Sequence, residues 1–457
     1  MLFNSLEFAL FLPIVTGVYY LLRYRGQNLW LLAASLFFYA SWDWRFLPIL
    51  ATTMVVDFYV AAYLEKLAKS GAPESKRKLV LAISMGSNLA MLGFFKYFNF
   101  FADSLHSGLL ALHIPAPIST LNILLPIGIS FYTFQSMSYT IDVYRGELPA
   151  AKHFLDFALF VSFYPHLVAG PIMRAVDLLP QIESPRHASR EQILDGIQLI
   201  VWGLWKKMFI ADNLAPVVNR IFAETAPSGF HTLIGVYAFA FQIYCDFSGY
   251  SSIAIGLARI LGFDFGINFD RPYFSRSFSE FWSRWHISLS SWLRDYLYVS
   301  LGGNRGGKWR TYRNLMITML LGGLWHGASW TFVFWGALHG AYLVVERMLS
   351  IRIPRALQLL LVFNLTCFAW VFFRAHSFAN AWQVLSGIAS MHGSIADVDD
   401  RWRILKCALM IAVMLAFEMF PKREPTPAMR LAFVASCVWV VLIFGTFSGN
   451  NFIYFQF

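Results

Sequence analysis

The sequence predicts an all-α polytopic membrane protein of about eleven transmembrane helices, with re-entrant and interfacial amphipathic segments between them. Three observations carry this. Of the 457 residues, 58% are hydrophobic and only 14% charged, where soluble domains carry about a quarter charged residues. The apolar runs are long and continuous and lack the two-residue alternation of outer-membrane strands, which points to helices rather than a barrel. The 45 phenylalanines, 20 tyrosines and 16 tryptophans suit a lipid-facing surface with aromatic belts at both interfaces.

Taking about twenty residues per span, candidate segments fall near 5–22, 29–41, 46–64, 79–98, 121–144, 154–172, 193–210, 232–257, 314–345, 358–373, 405–420 and 431–447. Segment 29–41 is short and bounded by Asp43 and Arg45. Segment 154–172 contains Pro165, His166, Gly170 and Pro171 and reads as re-entrant. Non-helical backbone at that depth survives only inside protein or beside water. The run 314–345 is long enough to enter the membrane and return. No internal repeat, coiled coil or long linker is visible, so a single integral membrane domain over 1–457 is expected, with a polar block at about 268–345 and an aromatic tail at 450–457.

The net charge of +10 sits in short loops between apolar runs, which marks cytoplasmic loops rather than a nucleic-acid partner. Loop 65–78, with Lys66, Lys69, Lys76, Arg77 and Lys78, is expected inside. Arg23 and Arg25 then also fall inside, and the N-terminus outside. Stretch 99–120 has no Lys or Arg and fits an external loop. Lys422, Arg423 and Arg430 precede the last span and should be inside, so the tail from Asn450 to Phe457 emerges outside. The topology of 145–260 does not resolve by charge. Cys245, Cys367, Cys407 and Cys437 stand singly in apolar runs, which indicates neither a disulfide framework nor a zinc ribbon. No positive region precedes the first apolar run, which reads as a retained span and not a cleaved signal.

Residues 268–313 differ from their surroundings. Phe278, Phe281, Trp282, Trp285, Leu289, Trp292, Leu293 and Tyr296 recur at intervals of three and four, which predicts one face of an amphipathic helix at the membrane surface or a cavity mouth. It ends at the turn-rich Leu301-Gly-Gly-Asn-Arg-Gly-Gly307, and Arg305, Lys308, Arg310 and Arg313 mark the cytoplasmic side. Next comes Leu321-Gly-Gly-Leu-Trp-His-Gly-Ala-Ser-Trp330. It sets His326 in the middle of an apolar run with no acidic or basic residue from Leu315 to Val345. A titratable ring at membrane depth is costly and marks a candidate site. Imidazole is also the usual base for activating a hydroxyl near neutral pH. His326 lies thirteen residues beyond Arg313, about 20 Å along a helix and near the bilayer middle. His286 precedes the basic loop and is expected nearer the cytosolic face. A deep base behind a cationic rim suits a polyanionic donor whose acyl arm reaches inward; the same arginines serve equally well as topology markers.

Taken with Phe163-Tyr-Pro-His-Leu-Val-Ala-Gly-Pro-Ile172, Tyr244-Cys-Asp-Phe-Ser-Gly-Tyr250, Asn268-Phe-Asp-Arg-Pro-Tyr273, Phe281-Trp-Ser-Arg-Trp-His-Ile-Ser-Leu289, Leu324-Trp-His-Gly-Ala-Ser-Trp330 and Phe452-Ile-Tyr-Phe-Gln-Phe457, the chain resembles the membrane-bound O-acyltransferase (MBOAT) superfamily, in its bacterial polysaccharide-modifying branch. The motifs run in order over essentially the whole chain.

The resemblance implies a funnel-shaped helical fold with the active site at its thin centre. It makes His326 the catalytic histidine that activates the attacking hydroxyl, and His286 a second polar position that assists or positions the donor. Asp246, Ser248, Trp285, Trp325, Arg284 and Arg305 are then expected to support the histidines or line the donor channel. His339 is read as a packing or cytosolic-mouth residue. Tyr454 matches a family tail tyrosine that relays the acyl group; its alternative is a terminal interfacial anchor. Leu167–Ala175 and Leu301–Arg305 look more like polysaccharide-acetylating members than D-alanylating ones. The resemblance therefore implies acetyl-CoA as donor substrate, no bound cofactor or metal, and the bacterial inner membrane. It also implies a separate extracytoplasmic SGNH or serine hydrolase-like acetyltransferase as partner. The acceptor would be an alginate-like exopolysaccharide, with peptidoglycan or D-alanyl transfer as alternatives.

Two other classes remain open at this point. The intramembrane histidines, the broken segment 154–172 and the pairs Gly302–Gly303 and Gly322–Gly323 are compatible with a transporter or flippase, although no inverted repeat is visible. A histidine-ligated metal or haem is disfavoured by the spacing of His286 and His326.

Overall fold

The computed structural model describes residues 1–115, 118–168, 170–224, 229–349, 353–390, 401–419, 426–447 and 452–453. Every regular element among them is a helix or helical turn. Among the described residues four stretches are long and apolar enough to cross a membrane: Tyr24–Lys69, Glu74–Ala111, Arg355–Arg374 and Pro427–Phe444; Leu6–Leu21 is a shorter apolar helix. The remaining helices are shorter or more polar by that measure, so helix length alone does not reproduce the expected count of about eleven. The chain divides into two compact units, Met1–Ile193 with Ala258–Phe265, and Leu194–Leu257 with Gly266–Phe457.

In the first unit, helix Leu6–Leu21 shows how lipid and protein faces separate. Leu6, Leu10 and Ile14 are exposed, one turn apart, while Phe8, Phe11, Val15 and Tyr19 are buried. The short segment 29–41 is the core of a 20-residue helix, Tyr24–Asp43. Segment 154–172 is broken. Helix Phe154–Ser162 has 9 residues and Tyr164–Leu167 only 4, too short to cross at 1.5 Å per residue. From Asp156 to Leu167 every residue is buried, as backbone of that kind requires. Asp57, fully buried, accepts from Ser84 Oγ at 2.6 Å, from Asn88 Nδ2 at 2.8 Å and from Ser136 Oγ.

In the second unit, glycines let backbones meet. A Cβ added to Gly203 would stand 2.5 Å from the carbonyl oxygen of Gly249, and one on Gly256 would stand 2.5 Å from that of Gly196. Helix Arg190–Leu204 therefore lies backbone to backbone against Gly229–Ile260. Between apolar helices in lipid, such close packing replaces the hydrophobic drive available in water. The run 314–345 does turn back: Lys308–His326 and Trp330–Met348 form a hairpin. They cross where Cβ atoms on Gly323 and Gly336 would lie 2.3 Å from Phe332 O and 2.2 Å from Met319 O. The amphipathic helix expected across 278–298 is not continuous. It is Phe278–Arg284, then Ile287–Trp292 running into the wider turn Leu293–Tyr298. Its apolar positions keep one face through the break, for Phe278, Phe281, Trp285, Leu289, Trp292, Leu293 and Tyr296 are all buried. Periodicity records that burial and is blind to the break.

Gly336→Ala is expected to cost about 1–3 kcal/mol by overpacking, read as a lower thermal midpoint in detergent. Gly17→Ala, with nothing within 4 Å of the new carbon, should leave the midpoint unchanged or raise it slightly.

Candidate active site

His326 is the last residue of Lys308–His326. Gly327 follows in extended backbone, and the Ser329 hydroxyl caps the next helix by accepting from the Thr331 N–H. A Cβ on Gly327 would lie 2.2 Å from the Phe332 ring, so only glycine fits under the turn. The imidazole is 3% exposed. It is boxed edge-on by aromatic rings: Trp325 at 5.0 Å, Trp335 at 5.1 Å and Phe373 at 5.4 Å between centroids.

His286 occupies the break between Phe278–Arg284 and Ile287–Trp292, in left-handed backbone with φ 43° and ψ 55°. Such a conformation costs of order 1–3 kcal/mol for a non-glycine residue and persists where the surroundings over-determine it. Here Asn268 does so. Its Oδ1 accepts from Ser288 N at 3.1 Å and Ser288 Oγ at 2.9 Å, and stands 3.3 Å from His286 Nδ1. Its carbonyl accepts from Ile287 N at 2.9 Å, and its Nδ2 donates to Ser251 Oγ at 3.0 Å. The strained turn delivers the His286 ring, fully buried, to 6.4 Å from the ring of His326. Phe247 packs edge-on against His286 at 4.6 Å.

Of the other residues singled out in the sequence, Trp325 lies 6.1 Å from His286, and Trp285 packs on Phe269 and Trp370 at 5.1 Å. Asp246 is buried and ion-paired with Lys207 at 2.6 Å; its other oxygen accepts from Ile453 N at 2.7 Å. Ser248 contributes its carbonyl, which accepts from Lys206 Nζ at 3.0 Å; its hydroxyl has no partner among the described residues. Arg284 is paired with Glu280 at 2.7 Å within its own short helix, and Arg305 is exposed in the glycine-rich loop. Among the described residues neither guanidinium is paired with either histidine. His339 is fully buried among Phe281, Trp282 and Trp335, and neither ring nitrogen has a hydrogen-bond partner among the described residues. Tyr454 lies outside the described residues.

Sequence reasoning missed three contributors. Asn268 opens one of the sequence motifs, but its role is set by a partner 18 residues away. Trp335 is an ordinary apolar residue until the hairpin turns it onto His326. The pair Lys206–Lys207 with Asp212 inside an apolar stretch was a legible signal of buried charge.

Two buried imidazoles carried on helix ends between aromatic walls can act as general bases shielded from bulk water, as acyl transfer to a hydroxyl requires. The family model for the membrane-bound O-acyltransferase family matches residues 135–357. The chain is 46% identical to a probable alginate O-acetylase AlgI of Azotobacter vinelandii, over 85% of this chain and 78% of that one. It is 36% identical to a peptidoglycan O-acetyltransferase of Helicobacter pylori over 86% and 80%. It is 32% identical to a teichoic acid D-alanyltransferase of Streptococcus thermophilus over 48% and 56%. The chain belongs to the membrane-bound O-acyltransferase family. It is accordingly a multi-pass membrane O-acyltransferase, similar over most of its length to the alginate O-acetylases.

Asn268→Ala removes the acceptor that gathers the His286 turn and should lower stability by about 1–3 kcal/mol. Asn268→Asp, which keeps an oxygen for Ser288, should lose less. Thermal midpoints of the purified variants in detergent check both.

Proposed function

We propose that the protein takes an acetyl group from cytosolic acetyl-CoA and passes it across the bacterial inner membrane for O-acetylation of an alginate-like exopolysaccharide. The observation that carries the reading is the pair of buried imidazoles 6.4 Å apart, on the scale at which both can reach one acyl carbonyl. His326 takes the proton of the attacking hydroxyl as its oxygen adds to the thioester carbonyl. When the tetrahedral adduct collapses, the proton goes to the departing thiolate. His286 positions the donor carbonyl. The apolar walls formed by Trp325, Trp335 and Phe373 keep bulk water from the thioester. Tyr454 serves as relay acceptor on the outer side, and a separate serine hydrolase-like acetyltransferase sets the group on the sugar.

Acetyl rather than D-alanyl transfer is supported by the relatives. Those named as O-acetylases or O-acetyltransferases resemble this chain at 36–46% identity over most of its length. The D-alanyltransferases match at 25–32% over about half. Both termini are proposed to face the outside, from the basic loop 65–78 and from Lys422, Arg423 and Arg430 before the last span.

His326→Ala should lower acetylation of the polymer by about 10²–10⁴-fold while the protein still accumulates in the membrane; ester-linked acetate released from purified polymer is the measurement. Undiminished acetate in that variant removes His326 from the chemistry. Acetate found on peptidoglycan and not on the exopolysaccharide would reassign the acceptor. Tyr454→Phe should abolish transfer to polymer if the phenol carries the acetyl group, and leave it unchanged if the residue is an anchor.

A further inference from the structure

The last described residues return to the interior of the second unit. Thr446 N donates to Met208 O at 2.9 Å, and Asn213 Nδ2 donates to Phe444 O at 3.1 Å. The chain end thus follows the wide helical turn Trp205–Ala211. At residues 452–453 the contacts become specific. Phe452 is fully buried, its ring 4.5 Å from Tyr250 and 5.7 Å from Phe247. Phe247 is the same ring that packs on His286. The Ile453 N–H donates to Asp246 Oδ2 at 2.7 Å, spanning 207 residues of sequence.

Asp246 has a second attachment. Lys207 Nζ stands 2.6 Å from its Oδ1 and 2.8 Å from Asp212 Oδ1, with the Tyr250 ring 5.7 Å from the ammonium. All three ionic side chains are at most 3% exposed. Burying ions costs several kcal/mol each, and a buried pair is seldom the more stable choice over apolar packing. One carboxylate close to Lys207 is already supplied by Asp212, five residues on and on the following helix. The second carboxylate needs a different reason, and its outer oxygen shows one: it is directed at a backbone amide of the tail.

We propose that Asp246 is a positioning residue, a docking post that captures the backbone of the C-terminal segment and sets it against Phe247, beside His286. Lys207 and Asp212 hold the post in place; Phe452 fills the cleft beside it. The polar part of this recognition goes through the backbone N–H of Ile453 and is indifferent to the side chain at that position. Tyr454 is the next residue in the sequence after the anchored Ile453. The proposal deepens the reaction proposed above and rests on it for the tail's chemical use, but not for the docking itself.

The decisive variant is Ile453→Pro, which deletes the donor and leaves Lys207, Asp212 and Asp246 untouched. Asp246→Asn, which keeps an acceptor oxygen, and Asp246→Ala complete the set. A nitroxide placed on Phe455→Cys in the full-length protein in nanodiscs reports tail mobility; the four native cysteines are buried. The wild-type background should give an immobilised spectrum. Ile453→Pro and Asp246→Ala should raise the mobile-to-docked ratio by roughly ten- to a hundredfold, the worth of a hydrogen bond to a charged group, and Asp246→Asn by less. In the unlabelled protein, kcat for acetyl transfer should fall in Ile453→Pro, with the KM for acetyl-CoA and the thermal midpoint held. A purely structural role would move the midpoint and not this ratio. A spectrum of Ile453→Pro that superimposes on wild type overturns the proposal, as does a mobile tail with undiminished kcat. If the wild type transfers no acetyl group at all, the spectra alone decide the docking, so the two readings fail separately.

Discussion

Where Gly323 meets Gly336, the helices Lys308–His326 and Trp330–Met348 approach until a single added carbon would strike a carbonyl oxygen at 2.2–2.3 Å. That contact sets the geometry of the site. The link between the helices is only Gly327 to Ser329, so the crossing point and the tip are one rigid object. His326 stands at the tip and Trp335 one turn and a half into the returning helix, and the crossing brings their rings to 5.1 Å. In a bilayer the solvent offers no reason for apolar helices to associate, and fit between backbones must supply it. The same device recurs at Gly203 with Gly249 and at Gly196 with Gly256, on the helix that carries Asp246.

Around this frame the polar groups are few, and some of them hold backbone in place. Asn268 uses its side-chain oxygen, its side-chain amide and its backbone carbonyl to close the loop before His286. Glu346, the residue that ends the apolar run, accepts from Phe278 N at 2.5 Å and Ser279 N at 3.3 Å. It thereby satisfies the open start of the short helix and ties it to the hairpin. In the first unit Asp57 is treated the same way, with three side-chain donors and no cation among them. An unmet polar group is far more costly in a dry interior than at a surface. Spending scarce polar residues on helix starts and on a strained turn therefore shows which pieces of backbone the fold must hold still.

The helical class, the hairpin at 314–345 and the two histidines were legible in the sequence. They rest on local signals: an uninterrupted apolar run, a glycine-rich turn and a ring too polar for its depth. Two things were not legible. The break at Trp285–His286 leaves the three-and-four spacing intact, since Leu289 and Trp292 stay on the face begun by Phe278 and Phe281. Periodicity alone therefore reads one helix where there are two. The union of Lys207 with Asp246 depends on which helices are neighbours, which no spacing encodes. Arg284, expected to support the histidines or line the donor channel, is paired with Glu280 four residues before it, an i,i+4 spacing that the sequence already displays.

The backbone at His286 also limits what evolution can write there. With φ at 43°, a β-branched residue is strongly disfavoured there, whereas glycine, asparagine, aspartate and histidine enter this region most readily. Arg271 takes almost the same conformation, with φ 49° and ψ 55°, so the backbone discourages side chains and does not forbid them. The peptide conformation thus biases drift at this codon away from the branched apolar side chains that the surrounding rings alone would accept.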